Sequence, residues 1–191
     1  MSELSKVQQK KIHPHKFTLW VALGSIIMMF AGLTSAYIVK RNQDGWQGFE
    51  LPRLFWYSTF VILLSSVTVQ MALRSFQERE MSRYRLMITI TAGLGLLFIT
   101  LQILGFMAFE AAGMKMIGRG SSPSYSFILA IGGLHAAHVL GGVIALLVMF
   151  IKAFSKRSRS YNSVPIEIVT TYWHFVDVLW IYLFIFFSWL N

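Results

Sequence analysis

The chain has 191 residues, of which 55% are hydrophobic and only 13% charged, with a mean hydropathy of +0.59; this excludes an ordinary soluble domain and indicates an integral membrane protein. No cysteine is present, which excludes disulfides, thiolate metal centres, iron–sulfur clusters and haem attached through cysteine. The formal charge of +9 comes from basic residues at the edges of apolar runs rather than along one helical face, so topology accounts for it and nucleic acid is not expected as a partner.

A spanning helix needs about 20 largely apolar residues, because its backbone must bond internally once water is absent. Five segments qualify, in chain order Phe17–Val39, Leu54–Phe76, Tyr84–Phe109, Ser126–Ile151 and Ile166–Leu190. The expected fold is therefore an all-α bundle of five transmembrane helices, a single domain over residues 17–191 behind a basic tail, residues 1–16. Thr34-Ser35-Ala36 resembles a signal-peptide cleavage site, but the apolar run around it is long and Lys40-Arg41 follows, so an uncleaved first span is expected. Connections carry loop punctuation: Asp44-Gly45 and Pro52, the charged run Gln77 to Arg83, Gly118 to Pro123, and Lys156 to Pro165. Lys6, Lys10, Lys11 and Lys16, then Arg74, Arg79, Arg83 and Arg85, then Lys152, Lys156, Arg157 and Arg159 fall on the N-terminal side of the membrane. Only Lys40, Arg41, Arg53, Lys115 and Arg119 fall opposite. The positive-inside rule then places the N-terminus in the cytoplasm and the C-terminus outside.

Association between helices in lipid depends on close backbone approach and on hydrogen bonds. In the fourth span Gly133, Ala137, Gly141 and Ala145 recur every four residues, with Gly132 and Ala136 widening the stripe, and they are expected to form a packing seam. Gly93 and Gly105 add to this in the third span. Ser65, Ser66 and Thr68 in the second can bond back to their own helix or reach a neighbour. In the last span Pro165 suits a first helical turn and Glu167 faces the positive end of the helix dipole, so Glu167 is expected at the interface. Trp173 and Trp180 read as packing residues, whereas Trp189 is near enough to the end for an aromatic belt.

The motif YWHFVDVLW, Tyr172 to Trp180, places His174 and Asp177 one turn apart near the middle of a membrane helix. A carboxylate there costs about 2.5–3.5 kcal/mol on insertion, so it must be paired, protonated or beside a polar cavity. His135 and His138 form a second pair at similar depth, and the two pairs are expected to meet across the seam between the fourth and fifth helices. Four uses fit these groups: a metal site, haem ligation, a proton relay, or an interhelical hydrogen-bond clamp. The clamp needs no partner beyond the chain.

These residues carry a further signal. YWHFVDVLW with Ile181-Tyr182-Leu183-Phe184 resembles the terminal helix of subunit III of the haem–copper respiratory oxidases, and GGLHAAHVLGG, Gly132 to Gly142, resembles the histidine-containing helix before it. FELPRLFWYSTFVILLSSVTVQMA, Phe49 to Ala72, and Leu101-Gln102 agree, so that the resemblance runs from about residue 17 to 191. It implies the short five-helix form of that subunit, in a bacterial cytoplasmic membrane, without catalytic, cofactor or metal residues of its own. Haem and copper are then expected in partner subunits. It further implies contact with subunit I and other oxidase subunits, and a cleft holding phospholipid bordered by His135, His138, His174, Asp177, Trp173, Trp180 and Glu167. The oxidase would reduce oxygen and pump protons, with cytochrome c as the expected donor and quinol the alternative; a free-standing haem protein or a proton-coupled membrane protein is the rival reading. One departure stands out: Ile26 and Gly105 occupy positions where the family often carries glutamate, which removes an acid-dependent role there.

Overall fold

Each apolar run folds as one unbroken helix. The computed structural model describes residues 14–43, 46, 48, 51–113, 122–154 and 163–190. Its helices are α1 (Pro14–Arg41), α2 (Leu54–Gln77), α3 (Met81–Ala111), α4 (Pro123–Phe154) and α5 (Val164–Trp189). All five are long and apolar enough to cross a membrane. Asp44-Gly45, Lys115, Arg119, Lys156, Arg157, Arg159 and the tail with Lys6, Lys10 and Lys11 lie outside the described residues.

The buried positions recur at alternating steps of three and four. In α2 they are Phe55, Ser58, Ile62, Ser65, Val69 and Ala72; in α3 they include Ile88, Thr91, Gly95, Phe98, Gln102 and Gly105. In α4 the same rhythm runs through Ile128, Gly132, His135, Val139, Gly142 and Leu146. A seven-residue repeat of this kind keeps one seam facing a neighbour along the whole helix length. Helices α2, α3, α4 and α5 close a ring by packing in that order, with α5 returning to α2. α1 differs, because among its described side chains only Leu23, Phe30, Thr34 and Tyr37 are deeply buried. It lies against α4 and α5 and makes no close backbone approach to α2 or α3. A strip of α5 is thus left uncovered between α1 and α2, where Val178 and Tyr182 are exposed.

Several ends are tied. α2 closes with Glu80 N–H bonding Ser75 O at 2.9 Å and Arg79 N–H bonding Phe76 O at 3.1 Å, the helix-ending pattern that needs a left-handed residue. Arg79 supplies it at φ 62. At the start of α3, Arg85 Nε donates to Ala153 O of α4 at 2.9 Å, and its guanidinium stands 5.4 Å over the Phe154 ring. A cation there suits the negative end of the α4 dipole. At the other face the Tyr37 ring meets Trp46, Phe127, Phe186 and Phe187 edge-on, holding α1 to α4 and α5.

Candidate functional site

The polar groups of the membrane interior converge on α5 from α2, and the chemistry of a hydroxyl explains how. Ser58, Thr59 and Ser65 of α2 each donate to a carbonyl of their own helix: to Phe55 O at 2.9 Å and 2.7 Å, and to Ile62 O at 2.8 Å. Back-bonding uses the single O–H and leaves oxygen lone pairs facing outward. Donors from neighbouring helices take them. Trp173 Nε1 donates to Ser65 Oγ at 3.0 Å, Trp180 Nε1 to Thr59 Oγ1 at 3.0 Å, and Gln102 Nε2 of α3 to Ser58 Oγ at 3.1 Å. Thr68 repeats the pattern, donating to Ser65 O and accepting from Thr91 of α3 at 2.8 Å. Each indole N–H is therefore paired where no water competes.

His174 adds a further connection to the same helix. Its Nδ1 lies 2.7 Å from Ser66 Oγ and its Nε2 3.2 Å from Gln70 Oε1. Ser66 and Gln70 are four residues apart on one face of α2, so the ring bridges a full helical turn. The sequence left His174 free to bond Asp177 or a partner outside the pair; the partners it takes lie in α2, and not among the α4 histidines across the seam. Neither carboxylate oxygen of Asp177 has a hydrogen-bond partner among the described residues, although the side chain is only 2% exposed.

The histidines of α4 diverge for the same geometric reason. Three residues on a helix turn a side chain by about 60° from overlap, which is enough to aim two rings into different seams. His135 stacks on Trp180 with centroids 5.2 Å apart and meets Phe98 edge-on; neither of its ring nitrogens is bonded among the described residues. His138 donates Nδ1–H to Leu134 O at 2.7 Å and lies against Phe30 of α1, 5.8 Å away. Tyr172 OH reaches the His138 carbonyl at 3.0 Å. His135, His138, His174 and Asp177 thus do not assemble into one clamp. The lock on α5 is made by α2, with Ser65, Ser66, Gln70 and Thr59 as its partners.

The small-residue seam of α4 also needs correction. Gly133, Ala137 and Gly141 are exposed, and a Cβ added at Gly133 would meet nothing within 4 Å. The glycines that admit neighbours are Gly132 and Gly142. At Gly132 an added Cβ would stand 2.6 Å from Phe106 Cζ, and at Gly142 2.9 Å from Trp173 Cε3. Gly95 of α3 receives the far edge of the same indole, at 3.0 Å from Cη2. A stripe of small residues identifies a smooth face without saying what faces it, and α4 has two such stripes.

Other expected positions are placed as follows. Trp173 and Trp180 are 0% and 4% exposed, and Trp189 is 84% exposed at the end of α5. Glu167, in the first turn of α5, pairs with Lys16 Nζ of α1 at 2.6 Å. Because α1 and α5 run in the same direction, this pair joins two helix starts at one membrane face. On α1, Thr34 donates to Phe30 O at 2.9 Å, so Tyr182 OH is the donor across the 3.0 Å contact to Thr34. The sequence reading passed over Thr34, Ser58, Thr59, Gln70 and Tyr182. Their signal is spacing, since polar residues at three- and four-residue steps inside an apolar run mark the seam that hydropathy alone hides.

The sequence matches the family described as cytochrome c oxidase subunit III over residues 44–191. It is 30% identical over 176 residues to a probable quinol oxidase subunit 3 of Staphylococcus epidermidis, covering 89% of this chain and 86% of that protein. It is 27% identical over 170 residues to a cytochrome c oxidase subunit 3 of a Bacillus species, covering 86% and 80%. The Staphylococcus aureus probable quinol oxidase subunit 3 is 28% identical. Together with five membrane-crossing helices and the motifs of α4 and α5, these matches establish that the chain belongs to the cytochrome c oxidase subunit III family, as a multi-pass bacterial membrane protein.

Proposed function

We propose that this chain does structural work in a cytochrome c oxidase: it packs on subunit I, borders bound phospholipid, and leaves haem and copper to companion subunits. The observation that carries this is the division of its surface. Inside, indole, amide and imidazole donors are matched to α2 hydroxyls and Gln70. Outside, Ala130, Gly133, Ala137 and Gly141 present a smooth exposed stripe along α4, which lets a second helix approach closely in lipid. The uncovered strip of α5 between α1 and α2, with Trp56, Tyr57 and Phe60 exposed on α2, offers an apolar surface to lipid chains. Both ring nitrogens of His174 are already engaged, which supports a non-ligating role for it.

The N-terminus is assigned to the cytoplasm. Lys16, Arg74, Arg83, Arg85 and Lys152 gather at one end of the helices, against Lys40, Arg41 and Arg53 at the other, and basic residues favour the inner face. Proton pumping belongs to the oxidase as a whole in this reading. Ile26 packs against the core, and the Phe55 ring fills the space beside Gly105, with Cζ 3.0 Å from where a Cβ would stand. Neither position offers an acid.

A quinol-fed oxidase is the second reading, favoured by the names of the staphylococcal relatives. Oxygen uptake by the purified complex decides between donors: oxidation of reduced cytochrome c supports the first reading, and oxidation of quinol alone the second. Removing this chain tests its structural role. Activity is expected to decline over repeated turnovers, and an unchanged rate and lifetime refutes the role. The isolated chain is expected to be colourless; a haem spectrum or bound copper would favour a free-standing redox protein.

A further inference from the structure

We propose that the outer side of the α2–α5 seam binds one ethanolamine phospholipid of the leaflet at the N-terminal face, read by Gln70, Arg74 and Glu78. This rests on the lipid-bordering role proposed above and names the headgroup and the residues that select it. The seam has two rows. Its inner row is closed, since Ser65 and Trp173, bonded to each other, are both 0% exposed. Its outer row, Ser66, Gln70 and His174, is part-buried and opens on the strip of α5 that α1 leaves uncovered.

Gln70 holds the unused donors of that row. Its Oε1, assigned as the atom facing the ring, accepts from His174 Nε2 at 3.2 Å, and its Nε2 makes no bond among the described residues. It lies about 10 Å below the end of α2 at Gln77, where an amide without a partner is costly. Arg74 follows one turn nearer the end on the same face, and Glu78 one turn beyond that. Glu78 N–H still bonds Arg74 O at 2.9 Å, so the face continues past the last helical residue. Arg74 and Glu78 are exposed, and neither forms an ion pair among the described residues.

From the membrane outward, this face therefore offers an amide donor, a cation and an anion, at steps of about 6 Å along the helix. An ethanolamine phospholipid presents the complements in the same order: ester carbonyl, phosphate, primary ammonium. The guanidinium fork suits the phosphate oxygens, and the carboxylate accepts from the ammonium N–H groups. Choline has no N–H to give Glu78, and glycerol has no positive charge. Deeper along the same groove the exposed side chains are apolar, Leu63 of α2 at 45% and Val178 of α5 at 64%, which suits acyl chains. The other acid at this mouth, Glu167, is already paired with Lys16 at 2.6 Å, which leaves Glu78 to choose the headgroup.

The test is native mass spectrometry of the purified, delipidated oxidase complex offered phosphatidylethanolamine, phosphatidylcholine or phosphatidylglycerol with identical acyl chains. The parent is expected to retain phosphatidylethanolamine most tightly. Glu78→Gln is expected to lower that preference by about two- to fivefold, the range of one exposed ion pair. Arg74→Gln is expected to weaken all three lipids by about fivefold, since the phosphate is common to them. Glu80→Gln, an acid at the same membrane face already paired with Arg83, is the control and should leave the preference unchanged. Both tested side chains are exposed, so folding is not at stake. Bound lipid without a headgroup preference, a preference that survives Glu78→Gln, or an equal loss in Glu80→Gln overturns this inference and leaves the lipid-bordering role standing. A parent complex that retains no lipid lost in Arg74→Gln, and none lost when this chain is removed, overturns both.

Discussion

Replacing Gly142 by alanine would put a Cβ 2.9 Å from Cε3 and 3.0 Å from Cζ3 of Trp173, and 3.3 Å from Cε1 of Tyr172. Trp173 cannot retreat: it is fully buried, its Cη2 edge rests on Gly95, and its Nε1 is bonded to Ser65. Overpacking of a well-filled core costs about 1–3 kcal/mol, while alanine improves on glycine within a helix by about 1 kcal/mol. The expected net loss is about 1–2 kcal/mol, because a pinned indole places the clash in the upper part of its range. Gly133→Ala is the matched control, since nothing lies within 4 Å of its added Cβ, and it is expected to keep the helix gain of about 1 kcal/mol with no clash to offset it. Thermal unfolding of the two variants in one detergent measures the difference. Equal stability, or Gly133→Ala as the weaker protein, would refute the assignment of the α4 seam.

Ser65→Ala removes the acceptor of the Trp173 N–H and leaves a buried donor unpaired; a loss of about 1–2 kcal/mol is expected, read from unfolding and from a shift in tryptophan emission. Thr34→Val removes the acceptor of Tyr182 and should loosen α1, at about 0.6 kcal/mol, visible as faster amide exchange in α1 with α2 and α3 unchanged. Glu167→Gln breaks the pair with Lys16, whose side chains are 24% and 40% exposed. The cost is expected to be below about 1 kcal/mol, and added salt should narrow the gap between variant and parent by screening the pair. A gap that stays constant with salt would show that the pair contributes no screened attraction.

The helices were legible because membrane insertion imposes a rule on consecutive residues: a stretch of about 20 apolar side chains must be helical whatever it packs against. The resemblance was legible because YWHFVDVLW and GGLHAAHVLGG are local strings. The partners of those strings were not. His174 can turn to Asp177 on its own helix, to α4 or to α2, and only packing chose Ser66 and Gln70. In a soluble helix the polar face would have marked the outside. Here lipid and core are both apolar, so the buried face of α4 carries Gly132 and Gly142 while its exposed face carries Gly133, Ala137 and Gly141, and composition cannot separate them.

Five membrane crossings, the basic flanks, membership of the subunit III family and the presence of unusual polar groups in α4 and α5 are properties of the sequence alone, since each follows from neighbouring residues or from a contiguous motif. Which glycines admit a tryptophan, which hydroxyls accept its N–H, and which helix supplies the partners of His174 were decided by tertiary structure. Those outcomes depend on the rotation of each helix about its own axis, and that rotation is set by side chains on other helices.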